Sequence, residues 1–277
     1  MTDAGPDASA LAKLQSRATR RWLRGHALLV YLFLYGPIVT LIVLSFNEGG
    51  MPTAWTGFSA KWYGILIQNP DILRAVANSL LVALAVTLIS TAGGTLLALG
   101  LERGRPSTLL DSFVMVPMII PDIVLAIALL SFYTLLQFTL GLYTIVLSQS
   151  VFVIAFAAAV VRTRLRSFDR SMIEASIDLG ATAWTTFRRI TLPVILPGVI
   201  AAALLSFTLS IDDFVIAYFS AGAGSASTTF PMRIYAMIRF GVTPEINAIA
   251  TLLLFVSFTL MLLAQRLNRD SGREPGA

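Results

Sequence analysis

Six runs of about 20 apolar residues, at about 28–46, 75–101, 113–136, 143–161, 198–219 and 248–264, narrow what this chain can fold into. A helix needs about that length to cross a hydrocarbon core, and inside such a core only helices or closed barrels satisfy their own backbone groups. Hydrophobic residues make up 56% of the 277 and charged ones 13%, with a mean hydropathy of +0.80, far from the composition of a soluble domain. The pattern predicts an all-α membrane protein with six transmembrane helices.

Basic residues in short loops stay on the cytoplasmic side. Placing the N-terminus inside puts Lys13, Arg17, Arg20, Arg21, Arg24, Arg103, Arg105, Arg162, Arg164, Arg166, Arg170, Arg188, Arg189, Arg266, Arg269 and Arg273 there. Of the 20 basic residues, only Lys61, Arg74, Arg233 and Arg239 then fall outside. Both termini are therefore expected in the cytoplasm, and the net charge of +5 follows from topology without invoking nucleic acid. The expected organisation is a basic tail at 1–27, a transmembrane domain at 28–264 with a cytoplasmic loop at 162–197, and a tail at 265–277. The first apolar run lacks a small-x-small cleavage pattern and reads as an anchor that stays in place.

The outside loop 47–74 carries Trp55, Phe58, Trp62 and Tyr63, which suit the headgroup level. The second span has Ser90, Ala92, Gly93, Gly94, Ala98 and Gly100, small residues that permit close helix approach in lipid. Pro117, Pro121 and Asp122 predict a kink in the third span that faces protein or a cavity. Residues 220–247 read as a flexible loop and a short amphipathic helix ending at Gly241. No internal repeat is evident, which disfavours transporters built from two related halves. With no cysteine there are no disulfides or thiolate metal sites, and no metal ligands are expected.

Between the fourth and fifth spans lies a soluble segment. Ser171-Met172-Ile173-Glu174 fits a capping box, and Gly180 can end the helix in the left-handed conformation. Thr182 can cap a second short helix over 183–190, with Trp184, Phe187 and Ile190 on one side and Arg188 and Arg189 on another. Leu192-Pro193 would end it, and Pro197 would begin the fifth span. Such a basic amphipathic pair could lie on the bilayer or dock a partner.

Spacing goes further. Glu174-Ala175-Ser176, then Gly180, then Ile190-x-Leu192-Pro193 resembles the EAA loop of permease subunits of bacterial ABC importers, with Ser176 in place of the second alanine. The resemblance implies a type I ABC-importer permease fold and a coupling helix seated in a cytoplasmic ATPase. Glu174, Ala175, Ser176 and Gly180 would make or shape that contact, with Leu179, Phe187, Ile190, Leu192 and Pro193 positioning it. No G-x-x-x-x-G-K-[ST] phosphate loop is present, so ATP and Mg are expected on partner subunits, with no cofactor on this chain and no enzymatic activity of its own.

Asp212 and Asp213 stand in the fifth apolar run, where ionised carboxylates are costly unless they face water or a cation. They serve either as hydrogen-bonding glue between helices or as groups lining a path. Ser45-Phe46-Asn47, Phe58-Ser59-x-Lys61-Trp62-Tyr63, Asn78-Ser79-Leu80, Asp212-Asp213-Phe214-Val215-Ile216 and the stretch Ile234 to Asn247 resemble the second permease subunit of spermidine/putrescine importers. Related permeases for ferric iron, thiosulfate or phosphonates share several of these motifs. The resemblance implies a polyamine path using Asp212, Asp213, Phe214 and Tyr218. It also implies a second, different permease, two ATPases, an extracytoplasmic binding protein and a place in the bacterial inner membrane. An ion-coupled transporter would explain the aspartates but leave the soluble helices without a role. A membrane enzyme fits poorly, since the single histidine, His26, sits beside the first span.

Overall fold

The computed structural model describes residues 8–50, 54–103, 108–167, 169, 171–239 and 244–271; most of these are helical, the rest are turns and irregular connections, and none forms a strand. The helices are α1 (Ala8–Leu44), α2 (Lys61–Gln68), α3 (Pro70–Arg103), α4 (Thr108–Ile119), α5 (Asp122–Leu135) and α6 (Leu142–Arg166). They continue with α7 (Ser171–Asp178), α8 (Ala183–Thr186), α9 (Leu192–Ile211), α10 (Val215–Ser220), α11 (Phe230–Arg239) and α12 (Pro244–Ser271). Gly241, Arg105, Arg170, Arg273 and the extreme tails lie outside the described residues. Helix α1 begins at Ala8 and so takes in most of the stretch read as a polar tail.

Among the described residues, four helical stretches are long and apolar enough to cross a membrane: Trp22–Leu44, Pro70–Glu102, Leu142–Arg166 and Ala183–Ile211. The third apolar run is not a kinked rod. It breaks into α4 and α5, which meet at 101°, with Pro121 extended (φ −59°, ψ 135°) at the start of α5. A proline amide cannot donate, and its ring keeps the residue before it out of helical geometry, so the break falls where the sequence puts Pro121-Asp122.

The described residues form two compact units, those up to Gln68 together with those from Met237, and Asn69–Ala236. In the first, α2 and α1 both pack against α12. The turn between α1 and α2 is locked by the motif residues. The buried Asn47 side chain donates to the Ala54 carbonyl (2.7 Å) and accepts from the Thr56 amide (2.8 Å), Trp62 Nε1 donates to the Asn47 carbonyl (2.7 Å), and Tyr63 Oη pairs with Ser45 Oγ (2.7 Å). Phe46 stacks on Phe58 at 5.4 Å. Trp62 and Tyr63 therefore spend their polar tips on this turn.

In the second unit α3, α6 and α9 pack mutually. The small residues are where the helices touch. A Cβ on Gly94 would lie 2.6 Å from Ala157 Cβ, and one on Gly198 would lie 2.9 Å from Arg164 Cβ. Val82, Val86, Ile145 and Val153 form one buried cluster with Ala217 and Ala221; Ala98, Ala157, Val161, Ile195 and Ala202 lie in a second. At one end, Arg162 of α6 holds Glu102 of α3 and, at 2.8 Å, Asp111 of α4, while Arg166 reaches Glu102 at 3.0 Å. This ion network ties the base of α6, from which the soluble loop departs.

Candidate functional site

Helix α7 is capped by Asp169, not by the predicted Ser171–Glu174 box: Asp169 Oδ1 accepts from the Ser171 amide at 3.0 Å. Glu174 stays exposed on the surface of the helix. Bonds from the Ser171 amide and then its side chain hold the Asp169 carboxyl below its ordinary value. The far end matches the expectation. Gly180 has φ +77°, its amide bonds the Ile177 carbonyl, and the Ala181 amide bonds the Ser176 carbonyl, which is a Schellman ending. Thr182 then caps α8 through the Thr185 amide.

The soluble pair does not end at Leu192-Pro193. A π turn at Phe187–Thr191 carries α8 into α9 as one stretch, with Pro193 at the second position of α9 and Pro197 inside it. The Leu192 amide bonds the Phe187 carbonyl five residues back. That widened turn gives the Pro193 ring room where an α turn would press it against a carbonyl.

Ala175, Ser176, Leu179 and Ile190 come together, with Met172 and Thr185, around an open depression of about 510 Å³. Leu179 is 88% exposed. Ser176 is buried, and its hydroxyl pairs with Thr186 Oγ1 at 2.9 Å, joining α7 to α8. The substitution of serine for the family's second alanine thus has a structural use. Phe187 and Leu192 face the other way, against the core cluster around Val161 and Ile195, and Pro193 is exposed. Apolar residues on an exposed, internally braced helix pair make a surface suited to a protein groove.

The second site is a broken helix. α9 stops at Ile211, and α10 starts at Val215. Asp213 makes the break: its carboxylate accepts from the Ala217 amide (2.9 Å), the Ile216 amide (3.3 Å) and Gln149 Nε2 (2.8 Å). Gln149 Oε1 in turn accepts from Ser210 Oγ at 2.5 Å. Asp212 is exposed and has no hydrogen-bond or ion partner among the described residues. Just beyond, the rings of Phe214, Tyr218 and Tyr235 cluster, with Phe214 and Tyr235 4.6 Å apart. α5, which opens at Asp122, packs against α10.

Sequence reading missed Gln149 and Tyr235. The signal for Gln149 was available: an amide at mid-span must find hydrogen bonds, because lipid supplies none. Nothing local marks Tyr235 out on its amphipathic helix.

A helical protein with several spans long and apolar enough for a membrane, a braced helix pair between two of them and a polar break in one long helix has the build of a transporter's membrane subunit. The chain belongs to the family of binding-protein-dependent transport system inner membrane components, which it matches over residues 90–271. It is 40% identical over 255 residues to the spermidine/putrescine transport system permease protein PotC of Escherichia coli K12, covering 90% of this chain and 95% of that one. It is 39% identical to the putrescine transport system permease protein PotI of the same strain, covering 86% and 90%. Among solved structures, a bacterial ABC transporter involved in the import of the acidic polysaccharide alginate superposes with a TM-score of 0.71 at 19% identity, covering 94% of this chain and 100% of that chain. The MetNI methionine ABC transporter gives 0.58 at 22%, covering 78% and 100%. These likenesses establish the ABC-importer permease fold.

Proposed function

We propose that this chain is a permease subunit of an ATP-driven importer that moves polyamines inward across the cytoplasmic membrane by alternating access. The observation that carries the cargo is the 40% identity, along nearly the whole chain, to a permease named for spermidine and putrescine. The exposed Asp212, two residues before a cluster of three aromatic rings, fits a chain of ammonium groups, which carboxylates and ring faces both attract. Six spans with both termini in the cytoplasm agree with the charge bias, counting α4–α5 as one broken span and α12 as the last. On this reading the α7–α8 pair enters a cleft of a separate ATPase, which handles ATP and Mg. A second, different permease completes the channel, and an extracytoplasmic binding protein delivers the cargo. Glu174, Ala175, Leu179, Gly180 and Ile190 make the ATPase contact, and Ser176, Phe187, Leu192 and Pro193 hold its shape.

The test is reconstitution with the ATPase, second permease and binding protein encoded beside this chain. ATP-dependent uptake of labelled spermidine or putrescine into vesicles supports the proposal. Uptake of ferric iron, phosphonate or thiosulfate instead would move the cargo to another solute, and uptake by this chain alone would sink the ATP-driven mechanism.

A further inference from the structure

We infer that the two neighbouring aspartates do different jobs: Asp213 is a latch closed by Gln149, and Asp212 is the one of the pair that offers a carboxylate to a cationic cargo, where the chain enters the ring cluster of Phe214, Tyr218 and Tyr235. The inference rests on the polyamine reading and deepens it. Gln149 is 1% exposed on α6 and uses both ends of its amide, one on Ser210 before the break and one on Asp213 after it. One side chain therefore spans the gap between α9 and α10. The Asp213 carboxylate, already accepting from three N–H groups, is committed to holding α10 and would lose that helix start by turning to a mobile cation.

Asp212 is the opposite case, exposed and unbonded among the described residues. The ring cluster that starts two residues on in the chain draws on two elements, Phe214 and Tyr218 at the break and Tyr235 from α11, with Phe214–Tyr218 and Tyr218–Tyr235 centroids 5.3 and 6.2 Å apart. Tyr218 is 47% and Tyr235 46% exposed, so ring surface is open. α11 is itself pinned to α3: Asn78 Nδ2 donates to the Ala226 and Thr228 carbonyls (2.9 and 3.0 Å), and Ser79 Oγ accepts from the Phe230 amide (2.8 Å). Tyr235 is thus held near the break, and Gln149 is a positioning residue that fixes where Asp212 and the rings stand.

The experiment uses the complete transporter, purified and reconstituted, with two readouts: the cargo-free melting midpoint and spermidine uptake per assembled complex. Gln149→Leu and Asp213→Asn should each lower the midpoint by about 2–4 °C, and the double variant should fall no further than the worse single one, because both break the same bond. Gln149→Glu sets two carboxylates face to face and should melt lower still. Adding Asp213→Asn to it restores a donor–acceptor pair and should recover about half the loss. Asp212→Asn should leave the midpoint unchanged and cut uptake by about tenfold or more. Additive effects of Gln149→Leu and Asp213→Asn, or an Asp212→Asn variant that melts early or transports normally, would overturn the division of labour. Melting needs no cargo, so a wild-type transporter that ignores spermidine would fail the cargo reading separately.

Discussion

The docking loop and the broken helix are both interruptions of helical structure, but they are held in opposite ways. The loop is fixed mostly by hydrogen bonds that span only a few residues: the Asp169 cap, the Schellman ending at Gly180 and the Thr182 cap. The break is fixed by side chains that meet across 61 to 64 positions of sequence, Ser210 and Asp213 on Gln149. A locally braced element can move as a unit against a partner, whereas one braced across helices changes only when the helices themselves shift.

The largest expected effect breaks the local side of this contrast. Gly180→Pro demands φ near −65° where the backbone has +77°, a cost of about 3 kcal/mol or more, and should reduce co-purification of the ATPase by about tenfold while membrane insertion persists. Glu174→Ala removes an exposed carboxylate and should weaken ATPase capture by several-fold with no change in melting; undiminished capture would remove Glu174 from the contact. On the long-range side, Asn78→Ala leaves the Ala226 and Thr228 carbonyls without their side-chain donor and should cost about 1–2 kcal/mol, read as a lower melting midpoint and reduced uptake. Ser176→Ala, which returns the residue the family carries, loses one buried hydroxyl pair and should cost about 1 kcal/mol. The smallest effect is with pH. The Asp169 carboxyl is held low, so its contribution is complete at neutral pH and is lost only as pH falls through that lowered value. Hydrogen exchange at Ser171 should quicken in that acidic range and not before, and Asp169→Asn, which keeps an acceptor, should flatten the response.

This difference also decides what could be read from the sequence. Gly180 and Thr182 were legible because caps depend on spacings of a few residues, whereas Ala175, Leu179 and Ile190 came from the resemblance to the EAA loop; the helix face read over 183–190 put Phe187 with Ile190, and the two point to different neighbours. Pro121 was legible as an interruption, but as a kink in one helix and not as a division into two helices at 101°. The continuous stretch through Leu192-Pro193 was not, because proline normally signals an end and only a π turn accommodates it here. Nor was the latch: two adjacent acids look equivalent until a glutamine from another helix chooses one of them. The turn-locking role of Asn47, Trp62 and Tyr63 was hidden for a similar reason, since interfacial rings and turn-bracing rings have the same composition.

The unbroken stretch Ala183–Ile211 has a mechanical consequence. At 1.5 Å per residue it is a rod of about 43 Å, and pivoting it by about 10° at the loop end sweeps the other end through roughly 7 Å. Its two prolines, Pro193 and Pro197, lie between the loop end and the middle of the stretch, and the half beyond them is free of further proline up to Ile211. Neither proline lies past the midpoint, so the half that reaches the break is the stiffer one, and a modest tilt at the loop end becomes a larger displacement at the break.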